Sequence, residues 1–302
     1  MTDGGSRALM RDRAEGRQRV TNMELFFDLV YVFAVTQLSH YLLQHQTVTG
    51  ALQTALLLVM VWLLWAYTTW LTNWLDPERI PVRLLLLGLM LVSLIMSAAL
   101  PYSFGDGGLL VGCGYAAQQI GRSLFAMWAL RGQPLQRNFQ RILAWCCLSG
   151  ALAVAGGLTA DVLLRAACWL AAVGIDLLGG AAGFYVPGLG RSATREWDIE
   201  GRHFAERCQG FILIALGESI IVIGGTLAGL LGSPSGAHAH RTGVPELLSG
   251  PHAHRTATII AFLVAFVGPG SGSPRWWPWA CSPWSRRTCL PSSWAYAQRR
   301  LC

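Results

Sequence analysis

Runs of about twenty apolar residues, parted by short polar stretches, constrain this chain more than any other feature. A helix needs roughly 20 mostly apolar residues to cross a bilayer. Inside hydrocarbon it must also satisfy its own backbone N–H and C=O groups, which a helix does within one segment. Stretches at 24–43, 50–72, 82–100, 108–130, 139–159, 162–184 and 206–231 meet or approach that length. Another, "TATIIAFLVAFVG" from Thr256 to Gly268, begins as a span and breaks off. The expected fold is therefore all-α: a polytopic integral membrane helix bundle of about seven complete transmembrane helices and a partial eighth. Composition agrees, with 53% hydrophobic and 13% charged residues and a mean hydropathy of +0.42, well outside the usual range of a soluble domain.

Arginine placement orients the bundle, because basic residues concentrate in cytoplasmic loops. Arg7, Arg11, Arg13, Arg17 and Arg19 precede the first run, Arg79 and Arg83 follow the second, Arg131, Arg137 and Arg141 follow the fourth, and Arg191, Arg195 and Arg202 follow the sixth. The alternate connections carry none, although Arg165 lies just inside the sixth run. This alternation predicts a multi-pass protein of the bacterial cytoplasmic membrane with its N-terminus in the cytoplasm. All 23 basic residues are arginine, which fits a GC-rich genome and removes arginine-over-lysine as a sign of function. The net charge of +7 is scattered among loops instead of gathered on a stripe, so no nucleic-acid partner is expected.

The chain divides into an Arg-rich N-terminal segment (1–22), the helix bundle (23–231), an extracytoplasmic His/Gly/Pro-rich loop (232–256), the partial helix (257–267) and an irregular tail (268–302). The tail mixes Pro, Ser, Trp, Arg and Cys without a period, as an off-frame translation of GC-rich DNA would. The N-terminus lacks the apolar stretch and cleavage site of a signal peptide. The eight cysteines show no CxxC or zinc-type spacing. "SGAHAHRT" at 235–242 is repeated as "SGPHAHRT" at 249–256. Two His-x-His pairs could bind a divalent metal through imidazole, but no carboxylate or cysteine completes a ligand set, so no metal is expected. No cofactor is expected. Nor is an enzyme, since HExxH, GxSxG and paired metal-ligand motifs are missing.

Two constellations place carboxylates where hydrocarbon belongs. In "MELFFDLVYVFAVTQL", Glu24 and Asp28 lie one helical turn apart on one face and can act on one object. An aspartate at mid-membrane costs roughly 2.5–3.5 kcal/mol on insertion scales, so something must compensate: a shared proton, a nearby arginine, or a bound cation. In "HFAERCQGFILIALGESIIVIGG", residues 203–225, Glu206 and Arg207 open the helix, and Glu218 with Ser219 lies deeper. Glu24, Asp28, Glu206, Glu218 and Ser219 are thus candidate ion- or proton-binding residues, Arg122 and Arg207 candidate counter-charges, and Asp176 a further buried acid. A plainer alternative stays open, in which Glu24 favours a helix N-terminus and Asp28 pairs with an arginine for packing alone.

"MELFFDLVYVFAVTQLSH", "TTWLTNWLDPERIPVRLLLLGLM", "RGQPLQRNFQRILAW" and "HFAERCQGFILIALGESI" together resemble the bacterial low temperature requirement A (LtrA) family over roughly residues 20 to 267. The resemblance implies an integral inner-membrane protein linked to growth in the cold. It maps family motifs onto Glu24 to Asp28, onto Phe204, Ala205, Glu206 and Arg207, and onto Gly217, Glu218 and Ser219, and it implies several further spans beyond Val267. The leading functional expectation is a transporter or channel for a small ion or solute that uses these carboxylates. Alternatives are a non-catalytic scaffold or cold-adaptation factor and an intramembrane lipid-modifying enzyme. The expected partners are the bilayer and a small ion or solute, with a homo-oligomer left open.

Overall fold

The computed structural model describes residues 9, 10, 20–192 and 201–231; in the final helix it describes side chains at 203–218 and 220. The loop at 232–256, the partial helix at 257–267, the tail at 268–302 and the two His-x-His pairs lie outside the described residues.

Seven helices follow one another: α1 (Asn22–Gln44), α2 (Val48–Trp74), α3 (Ile80–Ala99), α4 (Gly108–Ala129), α5 (Leu135–Leu158), α6 (Val162–Ala181) and α7 (Gly201–Leu231), with a short 3₁₀ turn at Leu100–Tyr102. Among the described residues the fold is all-helical, and extended pairing is limited to two isolated bridges, Met10 with Leu75 and Val186 with Gly190. Five helices, α1, α2, α3 (with its 3₁₀ turn), α5 and α6, are long and apolar enough to cross a membrane. Seven complete spans are expected from the sequence, and these five are the ones that the described residues show. Gln118, Gln119 and Arg122 lower the hydropathy of α4. In α4 those polar side chains are buried, so the helix turns them toward its neighbours.

Local signals start the helices. Thr21 and Glu24 form a capping box on α1: the Thr21 hydroxyl accepts from the Glu24 amide at 3.3 Å, and a Glu24 carboxylate oxygen accepts from the Thr21 amide at 2.9 Å. Such a box satisfies two of the free N–H groups at a helix start. Thr47 caps α2 through the Gly50 amide, Asp161 caps α6 through the Leu164 amide, and Pro81 stands in the first turn of α3, where its missing N–H costs nothing.

Successive helices run antiparallel, so the starts of α1, α3, α5 and α7 share one end of the bundle, here the proximal end, with the last turns of α2, α4 and α6. Leu9 accepts a backbone hydrogen bond from Asp76 at 3.0 Å, which ties the N-terminal segment to that end. The closest helix pair is α4 and α5, packed through small residues. A Cβ on Gly112 would stand 2.3 Å from the Ala153 carbonyl oxygen, and one on Gly157 would stand 2.6 Å from that of Gly108. Backbones meet there because nothing lies between them, the usual solution for helices that gain little by burying apolar surface from lipid.

Arg165, the exception to the arginine pattern, sits at the distal end with its charge spent on backbone. It donates to the carbonyls of Gly156, Ser103, Gly105 and Thr159 at 3.3, 2.8, 2.7 and 2.6 Å. These carbonyls belong to the closing turns after α3 and of α5, where helix dipoles are negative. Gly108 leaves space for the guanidinium, since a Cβ there would lie 2.6 Å from its central carbon.

Candidate functional site

The two carboxylates of the first motif are 0% exposed and share one partner, Arg207 of α7, itself 1% exposed. Arg207 grips Asp28 with two nitrogens: Nε donates to Oδ2 at 3.1 Å, and Nη2 donates to Oδ1. Such a fork-to-carboxylate contact is the strongest geometry arginine offers. Nη1 reaches Glu24 Oε1 at 3.5 Å and the Thr72 hydroxyl of α2 at 3.2 Å. Trp65 of α2 donates its indole N–H to Asp28 Oδ1 at 2.7 Å. Glu24 Oε1 also lies 3.4 Å from His203 Nε2, while Oε2 is held by Thr21. The rings of Phe27 and Trp65 each lie 5.9 Å from the guanidinium, within reach of a cation–π contact.

Three helices far apart in sequence therefore meet at one buried ion cluster. The compensation required by Glu24 and Asp28 is an arginine, with both Asp28 oxygens engaged by Arg207 and Trp65. Thr21, Trp65, Thr72 and His203 were not singled out by the sequence reading. Thr21 was legible, since T-x-x-E before an apolar run is a capping signature. Trp65 and Thr72 carry no local signal, because only the folded bundle brings them to α1. Glu206, one residue before Arg207, is half-buried, and Glu218 is half-buried without a hydrogen bond or ion pair among the described residues. The Ser219 side chain lies outside the described residues.

A second polar cluster joins α2, α4 and α6. Asp176 of α6 is buried, and its Oδ2 accepts from the Tyr115 hydroxyl and from Gln119 Nε2, the latter at 2.5 Å. Tyr67 of α2 donates to the Asp176 backbone carbonyl at 3.0 Å. Arg122 was expected to offset an acid at depth, yet it makes no ion pair within 4.0 Å among the described residues. Instead its Nη2 donates to Gln119 Oε1, so the Gln119 amide bridges Arg122 and Asp176. The Arg122 guanidinium stacks 5.0 Å from the Tyr67 ring centroid, and its Nη1, buried, has no hydrogen-bond partner. Beside this cluster Gln118 Oε1 accepts from Tyr31 at 2.6 Å and from Ser93 at 2.8 Å. Tyr31 stands three residues after Asp28 on the same helix face. Asp28, Tyr31, Gln118, Gln119, Arg122 and Asp176 thus form a buried polar tract across α1, α4 and α6.

At the distal end, Tyr41, His45, Ala99, Tyr102, Phe104 and Asp106 help to line a cleft of about 1000 Å³ between α1, α3 and the start of α4. Tyr41 and His45 stack there with ring centroids 4.3 Å apart. Among the described residues no group of three or more His, Cys, Asp or Glu side chains is arranged to hold a metal ion.

Multiple apolar helices closed around buried charges define a multi-pass helical membrane protein. The chain belongs to the bacterial low temperature requirement A protein (LtrA) family, whose model matches residues 19–271. An uncharacterized Rhizobium meliloti (strain 1021) protein, RA0937, is 42% identical over 203 residues, covering 67% of this chain and 49% of that protein. The chain thus spans about half the length of this curated relative. No solved structure matches it significantly. The ELFFD and FAER blocks, separate in sequence, are the two halves of the Glu24–Asp28–Arg207 cluster.

Proposed function

We propose that the protein is a non-catalytic transporter or channel of the bacterial cytoplasmic membrane that passes a small ion or solute through its helix bundle, with its N-terminus in the cytoplasm. The observation that carries this reading is the buried polar tract from Asp28 through Tyr31 and Gln118 to Gln119, Arg122 and Asp176. Ionisable side chains in a membrane interior are costly, and by default they point to an ion or solute pathway. In this reading the two clusters divide the work. Glu24, Asp28 and Arg207 lock α1, α2 and α7 together, and the solute meets Arg122 and Asp176. The distal cleft supplies an entry on the helices that carry Ser97, Ser93 and Gln118 further in.

One observation favours a second reading. The first cluster has its Asp28 oxygens filled, which also suits a membrane scaffold whose ion pair fixes helix positions. Flux of small ions into proteoliposomes separates the two. With this chain or the longer Rhizobium meliloti relative reconstituted, transport predicts a flux above protein-free vesicles that falls at least tenfold in Arg122→Gln and Asp176→Asn. Absence of flux across a panel of small ions from both reconstituted proteins overturns transport in favour of the scaffold.

A further inference from the structure

The Arg122 guanidinium is the least satisfied charged group in the described bundle. It is 2% exposed, one of its two terminal nitrogens donates to Gln119, and the other, Nη1, has no acceptor. Burying a polar N–H without a partner costs roughly 1–3 kcal/mol, more for a charged group. The nearest acid does not relieve it, because Asp176 is joined to Arg122 only through the Gln119 amide. The site is built from several elements, since Tyr67 of α2 backs the guanidinium and Ser123 beside it on α4 reaches Cys146 of α5 at 3.6 Å.

We propose that Arg122 Nη1 is the binding site for a small monovalent anion of the halide class, which enters together with one proton taken by Asp176. The anion supplies the acceptor that the free N–H lacks, while the Tyr67 ring stays over the face of the guanidinium. Charge balance calls for the proton. Empty, Arg122 and Asp176 sum to zero; with an anion the cluster would hold one net negative charge in a low-dielectric interior, which is expensive. A proton on Asp176 restores neutrality. The groups facing Asp176 are Tyr115 and Gln119 of α4, which donate to it, Tyr67 of α2, which donates to its backbone, Ser149 and Cys146 of α5, and the Arg122 cation; the donors and the cation favour the carboxylate while the site is empty, so the proton is taken with the anion that offsets Arg122. The net species carried is an acid, H⁺ with its anion, and no electron is transferred. The inference deepens the transport reading by naming its solute; it rests on that reading for movement across the membrane, and the binding step stands independently.

The test uses the full chain in detergent, with thermal unfolding followed by tryptophan fluorescence as chloride, bromide or nitrate replaces gluconate at constant ionic strength. Halides should raise the midpoint saturably at acidic pH. With one proton bound per anion, apparent affinity should fall about tenfold per pH unit once Asp176 is ionised. Arg122→Gln should abolish the halide response, and Asp176→Asn, neutral at every pH, should keep it while losing the pH dependence. A wild-type protein whose midpoint is the same in halide and gluconate at both acidic and neutral pH overturns the inference, as does an unchanged response in Arg122→Gln. If Arg122→Gln does not fold, wild-type anion selectivity and the Asp176→Asn pH profile decide alone. Halide-selective binding without flux in vesicles removes the transport reading and leaves this site standing. Flux without halide-selective binding does the reverse.

Discussion

Breaking the Asp28–Arg207 pair one partner at a time should destabilise the protein by losses whose sum far exceeds that of removing both together. The structure sets the magnitude. Asp28 is 0% exposed and Arg207 1%, and two guanidinium nitrogens engage the carboxylate while Trp65 holds Oδ1 at 2.7 Å. Removing one partner of such a buried pair leaves an uncompensated charge and costs about 3–5 kcal/mol. Asp28→Asn leaves the arginine facing Glu24 alone; Arg207→Gln leaves two carboxylates, one turn apart, without their shared cation. With both neutral the desolvation cost of this pair disappears along with its attraction, and Glu24 keeps Thr21 and His203, so Asp28→Asn combined with Arg207→Gln should lose no more than the worse single variant. The double-mutant cycle should give a coupling energy of about 2 kcal/mol or more, the range found for residues in direct contact. Reversible unfolding in detergent, monitored by helicity as denaturant is added, measures all four proteins. Single losses below about 1 kcal/mol, or losses that simply add, would refute the cluster as a coupled, fully desolvated unit.

Two further outcomes follow from the fold. Gly112→Val should lower the thermal midpoint and separate α4 from α5, because even a Cβ at that position lies 2.3 Å from the Ala153 carbonyl oxygen; Gly121→Ala, where a Cβ meets nothing within 4 Å and alanine favours the helix, is the control and should not lower it. Cysteines introduced at Asp106 and Arg131 should report opposite sides of the membrane, with a membrane-impermeant thiol reagent added to intact cells labelling the Asp106→Cys protein and sparing Arg131→Cys; the reverse pattern would invert the orientation read from the arginine loops.

The membrane fold was legible because it rests on a one-dimensional signal: apolar length against bilayer thickness. The same signal is weaker helix by helix, since it treats a helix by its mean polarity and cannot see which face is turned inward. Helix α4 shows why. Its Gln118, Gln119 and Arg122 cost hydropathy yet face the bundle, where Asp176, Tyr31 and Ser93 meet them, so the residues that weaken the prediction are those that build the interior. Glu24 and Asp28 were legible as a pair because one turn of helix sets their spacing. That Arg207 would be their partner was visible only as one of two candidates, because the contact closes across more than 170 residues. The two arginines end in opposite circumstances for a structural reason. Arg207 sits in the first turns of α7, beside the first turns of α1 where both acids stand, and it spends nearly all its donors. Arg122 lies at a similar distance from its helix end, seven residues before the end of α4, but the nearest carboxylate there is held by a tyrosine and a glutamine that reach it first. A guanidinium displaced from its acid by one intervening amide keeps its charge and a free N–H, and that difference between two otherwise equal arginines separates a site that holds helices together from one that can hold a solute.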